Sequence, residues 1–361
     1  GSRELVSLSI TAETRPLPSD LSDLESPARE LCNRAGATNL FFQPWMIALA
    51  ADAFAGVDPR LKKDSASLLT VWRKDSESRR ELLALLPVYR KSGGWLRPAR
   101  LESLRYYFCS LCTPLLDRVN AGATTNALLD ELANIHGRRA TLSLPLVDSD
   151  STIALELRSA AAAGRFRLFE EQRIERGYAH LGERFNAWDG VSRRRRHDLQ
   201  RRERRLTEQG NVAVSHCADA GDALEYADHF LALEAAGWKG SAGTALTHHS
   251  VNSLYFRRLC HEAAVRGALR ATKITLDDRP VAIIISLVSP PQSYAVRMAY
   301  DENYAPHSPG HLLVRRHLEW LAGQPDISGS DSCADPNSQM ANATWRDRKS
   351  LSNFVVSLGT D

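Results

Sequence analysis

The stretch that most constrains the fold is YDENYAPHSPGHLLVRRHLEWL, residues 300–321, in which a polar loop joins a strand pattern to an amphipathic helix. Residues 293–300 are rich in apolar and aromatic side chains, as a strand is, and the leucines that follow the loop recur near helical spacing. We therefore expect a helix that begins near Gly310. Ser308 is expected to cap it, and Pro309 suits the first helical position, which needs no amide hydrogen.

The start of this predicted helix is a candidate anion site. Gly310 would let a ligand approach the main chain closely, and the amides of Gly310, His311 and Leu312 are expected to point outward. Together with the positive end of the helix dipole, these amides suit phosphate groups. An ordinary capped helix explains the same residues, so the context has to decide between the two interpretations.

A second concentration of charge is SRRRRHDLQRRERRL, residues 192–206, with eight arginines against Asp198 and Glu203. The predicted anion patch consists of Arg194, Arg195, Arg201 and Arg202. Such a run is typical of a solvated helix face, and its functional alternatives are an acidic substrate, an anionic membrane surface, a nucleotide second messenger or RNA. The run has no aromatic side chains to stack on bases, which argues against RNA. A net charge of +3 gives no reason to expect DNA as a partner.

The composition is that of a globular protein, with 43% apolar and 25% charged residues in 361, which is enough for two domains. No run of about 18 apolar residues is present, so we expect no membrane-spanning segment. The first ten residues have no apolar signal-sequence core, and the expected location is the cytoplasm, with the inner membrane surface as an option. The six scattered cysteines indicate reduced thiols, and the lone CxxC at Cys109 and Cys112 gives no reason to expect a metal.

Strand and helix patterns recur in both halves of the chain. Residues 66–74 and 81–91 are predicted to pair as strands. In the second half, the arginine-rich helix is followed by a strand, by helices, and by a hairpin that turns at residues 277–279. The strand, loop and helix of residues 293–321 come next, followed by a strand near DISGSDSC and one in LSNFVVSLG. This order predicts an α/β protein with a mixed sheet.

Residues 190–346 resemble the GNAT-type acyltransferase domain of the CelD/BcsL-like (Acetyltransf_6) group, which is related to the FemABX peptidyltransferases. The matching words are SRRRRHDLQRRERRLTEQG, LEAAGWKGSAGTAL, DDRPVAIIISL and YDENYAPHSPGHLL, in this order. The first half, with NLFFQPWMIALA, resembles the degenerate GNAT-like lobe that precedes this domain in the group. The resemblance implies two tandem GNAT-like lobes, residues 1–185 and 186–361, each with a mixed, largely antiparallel sheet flanked by helices.

The resemblance also implies where an acyl-CoA would bind. Its pantetheine channel would be lined by Met298, Ala299 and Tyr300. Its pyrophosphate loop would be formed by His307, Ser308, Gly310, His311 and Leu312. The family loop has Gln or Arg, then two residues, Gly, one residue, and Gly or Ala. Here the three defined places hold His307, Gly310 and Leu312, so only the central glycine is kept.

Transfer from a thioester to an amine needs a neutral amine, a polarised carbonyl and a proton source for the departing thiolate. Tyr300 is the predicted proton donor, with Tyr304 as the local alternative. Three carboxylates remain open as the general base: Glu234, Asp331 and Asp335. Trp238 and Lys239 follow a predicted helix end and are expected to contact a sugar and a negative substrate group. Packing of Trp238 on the sheet is the alternative.

The resemblance therefore implies an N-acyltransferase that uses acetyl-CoA or another acyl-CoA and no metal. Its acceptor would be an amino sugar or a similar amine in cell-envelope or exopolysaccharide synthesis. One alternative is a FemABX-like transferase that takes its acyl group from charged tRNA, although no heptad pattern predicts the coiled-coil arm common in that group. The other is a GNAT-shaped regulatory protein that binds a cyclic dinucleotide or an anionic surface at the arginine-rich helix.

Overall fold

The structure, a computed structural model, describes residues 9–62, 64–74, 79–91 and 97–359, apart from the side chain of Trp238. It forms two compact units. One takes the chain up to Ile174 together with the residues from Ser350 on, and the other is Glu175–Lys349. The predicted ranges assigned the C-terminal residues to the second domain. In the structure the C-terminal residues belong to the first unit, because residues 351–357 pair with a strand of that unit.

The first unit is a mixed sheet with four helices in its described part. The helices are α1 (Glu25–Arg34), α2 (Pro44–Phe54), α3 (Ala121–His136) and α4 (Thr152–Ala162). The strands are β1 (Ser9–Leu17), β2 (Ala66–Lys74), β3 (Arg80–Lys91), β4 (Arg100–Ser103), β5 (Leu115–Leu116) and β6 (Thr141–Asp148), and β7 (Leu168–His180) leads out of the unit. β4 and β6 are parallel, whereas β1 with β2, β2 with β3 and β3 with β4 are antiparallel.

The second unit begins within β7 and contains the arginine-rich helix and the strand–loop–helix. Its helices are α5 (Arg193–Thr207), α6 (Ala223–Ala236), α7 (Trp238–Ser241), α8 (Ser250–Val265), α9 (Pro309–Ala322) and α10 (Gln339–Thr344). Its strands are β8 (Val212–Cys217), β9 (Leu269–Leu276), β10 (Arg279–Ser289), β11 (Gln292–Tyr300) and β12 (Gly329–Asp331), and β13 (Asp347–Ser357) leads back to the first unit. The strand order is β7-β12-β11-β10-β9-β8, and only β11 and β12 are parallel in this set. The predicted mixed, largely antiparallel α/β class is confirmed.

Local sequence signals account for the strands that were predicted. β2 and β3 pair as expected, and the turn between them falls in residues 75–78, outside the described residues. β9 and β10 pair around a two-residue turn in which Asp277 and Asp278 have φ of 47° and 64°. Two left-handed residues make the tight turn that matches the twist of paired strands, and Asp tolerates that conformation.

A buried polar network holds α9 against the sheet of the second unit. The fully buried His317 hydrogen bonds through Nδ1 to Thr272 Oγ1 and through Nε2 to Ser286 Oγ, both at 2.8 Å. His216 Nδ1 lies 2.9 Å from the same Thr272 hydroxyl, and its ring stacks on Trp320. Burial, with a smaller effect of His216, lowers the pKa of His317 to about 3. His317 is therefore neutral in the folded protein.

This network predicts an acid-sensitive stability. Between pH 6.5 and pH 3 the unfolded chain protonates this histidine and the folded chain does not, so the free energy of unfolding falls as the pH is lowered from about 6.5. The slope from one such group approaches 1.4 kcal/mol per pH unit, about the value of one pKa unit. We expect His317→Gln, which keeps an acceptor and a donor but does not titrate, to flatten this slope. Urea unfolding at pH 7, 6 and 5 measures how the free energy of unfolding changes with pH. An equal change in the parent and in His317→Gln would show that His317 does not titrate in this way.

Candidate functional site

The second unit opens a cavity where two neighbouring strands separate. β11 pairs with β12 only from Gln292 to Tyr294, yet β11 continues to Tyr300. Within the described residues, no strand pairs with this edge of β11 beyond Tyr294. On its other edge β11 has a bulge opposite β10, where Val296 is the extra residue. Bulges bend a strand and often adjoin active sites, and this one coincides with the separation from β12.

The cavity at this edge has a volume of about 570 Å³. Its walls include residues 295–300 of β11, Leu233, Glu234, Gly237, Lys239, Ile284, Glu302, residues 332–335, Ser338, Met340, Ala341 and Trp345. This size and mixture of apolar and polar groups are typical of small-molecule sites. An extended ligand could hydrogen bond to the strand edge as a further strand would. Met298, Ala299 and Tyr300, the predicted channel residues, all line the cavity.

Glu234 is a buried carboxylate in the cavity wall. It lies near the end of α6 with 4% of its surface exposed. Oε1 accepts a hydrogen bond from Lys239 Nζ at 3.0 Å, and Oε2 accepts one from the Leu246 amide at 2.9 Å. These two bonds fix the orientation of the carboxylate, and each oxygen keeps a further lone pair for a ligand. Among the three predicted bases, Glu234 combines cavity access with fixed geometry.

Lys239 and Trp238 were predicted to contact substrate. Lys239 lines the cavity and forms the ion pair with Glu234, so its ammonium group already meets a negative group of the protein. The backbone of Trp238 begins the short helix α7. Its side chain lies outside the described residues, and its proposed contact with a sugar remains a prediction.

Asp331 does not line the cavity, although it was predicted to be catalytic. Its side chain is fully buried, and Oδ2 lies 2.8 Å from Arg176 Nη2 and 3.7 Å from Lys349 Nζ. Oδ1 accepts the Cys333 amide at 2.9 Å. Burial alone would raise the pKa of Asp331, but the charges of Arg176 and Lys349 outweigh it and hold that pKa below its usual value. We therefore assign Asp331 to a buried ion-pair cluster rather than to proton transfer. Asp335 lies exposed at the cavity wall and remains open as a base.

The loop before α9 forms by a different geometry from the predicted cap. Ser308 occupies the N-cap position with φ 54° and ψ 49°, and its side chain does not accept a hydrogen bond from the helix amides. The amides of His311 and Leu312 donate to the Ser308 carbonyl at 3.1 Å and 3.3 Å. The prediction of outward amides at these two residues is therefore wrong. A left-handed residue that is not Gly costs free energy, and such strain is found most often at binding and active sites.

Gly310 packs against Tyr300 and Met298, two residues of the cavity wall. A Cβ at this position would lie 3.4 Å from Tyr300 Cδ1 and 3.9 Å from Met298 Cε. The residue is buried, so its open side meets these two side chains rather than solvent. This corrects the expectation that Gly310 exposes the main chain to a ligand. It also places the start of α9 against two side chains that line the cavity.

The arginine-rich helix α5 reaches the same loop, which the sequence did not predict. Arg202 Nη1 donates to Pro306 O and to Ser308 Oγ, both at 3.2 Å. Arg195 Nη2 lies 3.4 Å from His311 Nε2. Burial, followed by the charges of Arg195 and Arg202, lowers the pKa of His311. The two arginines therefore raise the electrostatic potential at the start of α9.

The remaining anion-patch residues, Arg194 and Arg201, lie on the exposed side of α5. Together with Arg195 they line an open surface cavity of about 580 Å³, whose other walls are Ser192, His197, Asp198 and Arg204. His307, the first residue of the predicted loop, lies within hydrogen-bonding distance of Gln209, with 2.7 Å between Nε2 of both side chains. Its buried Nδ1 has no hydrogen-bond partner in the described part of the chain.

Several cavity residues escaped the sequence analysis: Arg297, Glu302, Cys333 and Ser338. Glu302 and Cys333 lie two residues after the ends of β11 and β12, so their positions close to strand ends were the available signal. Cys109 and Cys112 are buried thiols 3.9 Å apart in the first unit. The described residues contain no cluster of three or more metal-ligating side chains and no helix long and apolar enough to cross a bilayer.

Residues 193–333 match the model of the acetyltransferase (GNAT) domain Acetyltransf_6. No curated protein matches the chain. Among solved structures, FemX is similar with a TM-score of 0.56 at 11% identity, covering 96% of this chain and 97% of that chain. A conserved protein of unknown function from Bacteroides thetaiotaomicron gives 0.55 at 9% identity, with coverage of 95% and 99%. L-PGS from Bacillus licheniformis gives 0.51 at 12% identity, with coverage of 94% and 91%. At these identities the structures share the fold, and the GNAT resemblance is confirmed.

Proposed function

We propose that this protein, whose residues 193–333 match the model of a GNAT acetyltransferase domain, is an acyl-CoA-dependent N-acyltransferase that acylates an amine in the cavity beside β11. The observation that supports this most is the separation of β11 from β12, with Glu234 in one wall of the resulting cavity and the start of α9 behind Tyr300. The cavity thus offers a strand edge for the acyl donor and a carboxylate for the amine, and the loop proposed for the phosphate groups lies behind Tyr300.

The proposed reaction uses these groups in sequence. The Glu234 carboxylate takes a proton from the acceptor ammonium, which leaves a neutral amine. The amine forms the new C–N bond at the thioester carbon while main-chain amides of the β11 edge stabilise the charge on the carbonyl oxygen. The C–S bond breaks, and the Tyr300 hydroxyl gives its proton to the departing sulfur. The acylated nitrogen loses its second proton, which the Tyr300 phenolate takes up directly or through solvent, and the proton held by Glu234 returns to solvent, so the site is restored.

The acceptor proposed from the family resemblance is an amino sugar or a similar amine of cell-envelope or exopolysaccharide synthesis. A FemABX-like transfer from charged tRNA is the competing reaction, since FemX shares the fold over nearly the whole chain. The two reactions differ in the donor. A regulatory GNAT-shaped protein would bind a ligand at α5 and transfer no group.

Thiol release from acetyl-CoA tests the proposal. We expect the protein to release CoA in the presence of glucosamine or a related amino sugar and to form the N-acetyl product. Ala299→Phe, which fills the cavity beside the strand edge, should abolish this release, whereas Leu254→Phe, on the exposed side of α8, should not. Transfer from aminoacyl-tRNA with none from acetyl-CoA would support the FemABX-like reaction. Retained acetyl transfer in a folded Ala299→Phe protein would show that the cavity is not the site.

A further inference from the structure

We propose that α5 supplies the side chains that bind the phosphate groups of the acyl donor, with Arg195 and Arg202 at the start of α9 as the central contacts. This inference rests on the proposed function, because it assigns the donor end of the same site. The ligand chemistry is two or more phosphate groups on a nucleotide carrier, as in coenzyme A. The arginine-rich helix is then part of the transferase site rather than a separate regulatory surface.

The supply of hydrogen-bond donors at the start of α9 supports this assignment. An anion at a helix start is usually held by free main-chain amides. Here the amides of His311 and Leu312 donate to the Ser308 carbonyl, and the loop keeps only the central glycine of the family pattern. Main-chain amides alone would therefore hold a phosphate poorly. Guanidinium groups can replace them, because bonds between Arg and phosphate are charge-assisted and often bidentate.

The guanidinium groups of α5 are also positioned to bind a phosphate at this loop. Arg195 and Arg202 are seven residues apart on α5, so they lie on the same face two turns apart. Arg202 contacts Pro306 and Ser308, and Arg195 contacts His311. Both arginines therefore flank the loop that leads to Tyr300. A phosphate bound between them would lie next to the start of α9, whose dipole adds favourable potential.

The arrangement of charge around Asp198 favours an anionic ligand as well. This carboxylate lies 2.6 Å from Arg201, 2.9 Å from Arg202 and 3.6 Å from Arg195. Three guanidinium groups share one carboxylate, so the cluster retains a positive charge of two. Asp198 holds the arginines near one another, and the two remaining positive charges match the two negative charges of a pyrophosphate diester. The open surface cavity of about 580 Å³, which Arg194, Arg195, Arg201 and Arg204 line, continues this positive surface and would accommodate a further phosphate.

The test compares ligands that carry three, two or no phosphate groups. Calorimetric titration with CoA, 3′-dephospho-CoA and pantetheine is applied to the parent and to Arg195→Gln/Arg202→Gln. The matched control is Arg193→Gln/Arg205→Gln, which removes the same charge from two exposed arginines of α5 that are not wall residues of the open cavity. We expect the first double variant to bind CoA at least about 10- to 100-fold more weakly, since the loss of a single charged hydrogen bond already weakens binding by about this factor. The control should bind CoA as the parent does, and pantetheine binding should be the same in all three proteins.

The other possible outcomes distinguish failure of this inference from failure of the proposed function. If the Arg195→Gln/Arg202→Gln protein binds CoA as tightly as the parent, the inference is wrong and the proposed function stands. If the parent binds no CoA, the proposed function fails, and titration with inorganic pyrophosphate decides the inference separately. If the parent binds pyrophosphate and Arg195→Gln/Arg202→Gln does not, the arginines form an anion site for another carrier. If the parent binds no pyrophosphate, the proposed anion site is wrong too. Arg195→Lys/Arg202→Lys should bind CoA with intermediate affinity, because the charge remains and the planar fork is lost.

Discussion

Glu234→Gln is expected to lower kcat for amine acetylation by about 100- to 10,000-fold, the usual contribution of a positioned general base. Gln has nearly the shape of Glu and keeps an acceptor oxygen for the Lys239 or Leu246 bond, so the cavity wall should persist. The change removes only the ability to accept a proton. Steady-state rates as a function of amine concentration measure the loss of kcat. The rate of Glu234→Gln should rise with pH, because at higher pH the amine loses its proton in solution and needs no base from the enzyme.

Asp335→Asn is the matched control for this experiment. Asp335 lines the same cavity but is exposed, and we expect its loss to change kcat by less than about tenfold. A large loss in Asp335→Asn with an active Glu234→Gln would identify Asp335 as the base. An equal thermal stability of all three proteins is needed, and it separates a chemical effect from unfolding of the 239–246 segment that Glu234 holds.

Asp331→Asn is expected to destabilise the second unit by about 3–5 kcal/mol, the usual cost of removing one partner from a buried ion pair. Arg176 is 3% exposed and would lose the carboxylate charge that it faces at 2.8 Å, and Lys349 would lose the same charge at 3.7 Å. Asp228→Asn is the control, because Asp228 pairs with Arg257 at 3.0 Å on the surface. Exposed pairs contribute about 1 kcal/mol or less.

Urea unfolding with paired activity measurements tests this role. The folded-state pKa of Asp331 is depressed, so its stabilisation is present above pH 3.8 and is lost as the pH falls through the lower folded value. Asp331→Asn should therefore be less stable than the parent at pH 7, with turnover per folded molecule little changed. Normal stability combined with a large loss of turnover would restore Asp331 to the catalytic set.

The sequence predicted elements whose signals are local. The β9–β10 hairpin follows from two apolar runs and a turn of two aspartates, and the start of α9 follows from a proline and the leucines after it. β1 was missed because Ser9–Leu17 is largely polar and exposed, and it becomes a strand through its pairing with β2. The place of β13 was also missed, because its partner β6 lies some 200 residues earlier in the chain.

In the site, too, the features that were predicted depend on neighbouring residues and those that were missed depend on residues far apart in the chain. The loop of residues 307–312 and the channel of residues 298–300 are contiguous in sequence, so a motif could locate them. The contact of Arg202 with Ser308 spans 106 residues, and that of Arg176 with Asp331 spans 155. Neither has a local signature. Only the folded chain brings the arginines of α5 to the loop and turns Asp331 away from the cavity.

An acyl-CoA is expected to bind with its phosphate groups at the start of α9, and titration calorimetry with acetyl-CoA tests this binding most directly. The parent is compared with Ser308→Asp and Ser308→Asn, two side chains of equal size that both tolerate the left-handed conformation of this residue. Asp would pair with Arg202 and repel phosphate, whereas Asn would not. We predict one-to-one binding to the parent and to Ser308→Asn, and binding at least tenfold weaker to Ser308→Asp. Equal acetyl-CoA binding by all three folded proteins, or none by the parent, would contradict the account.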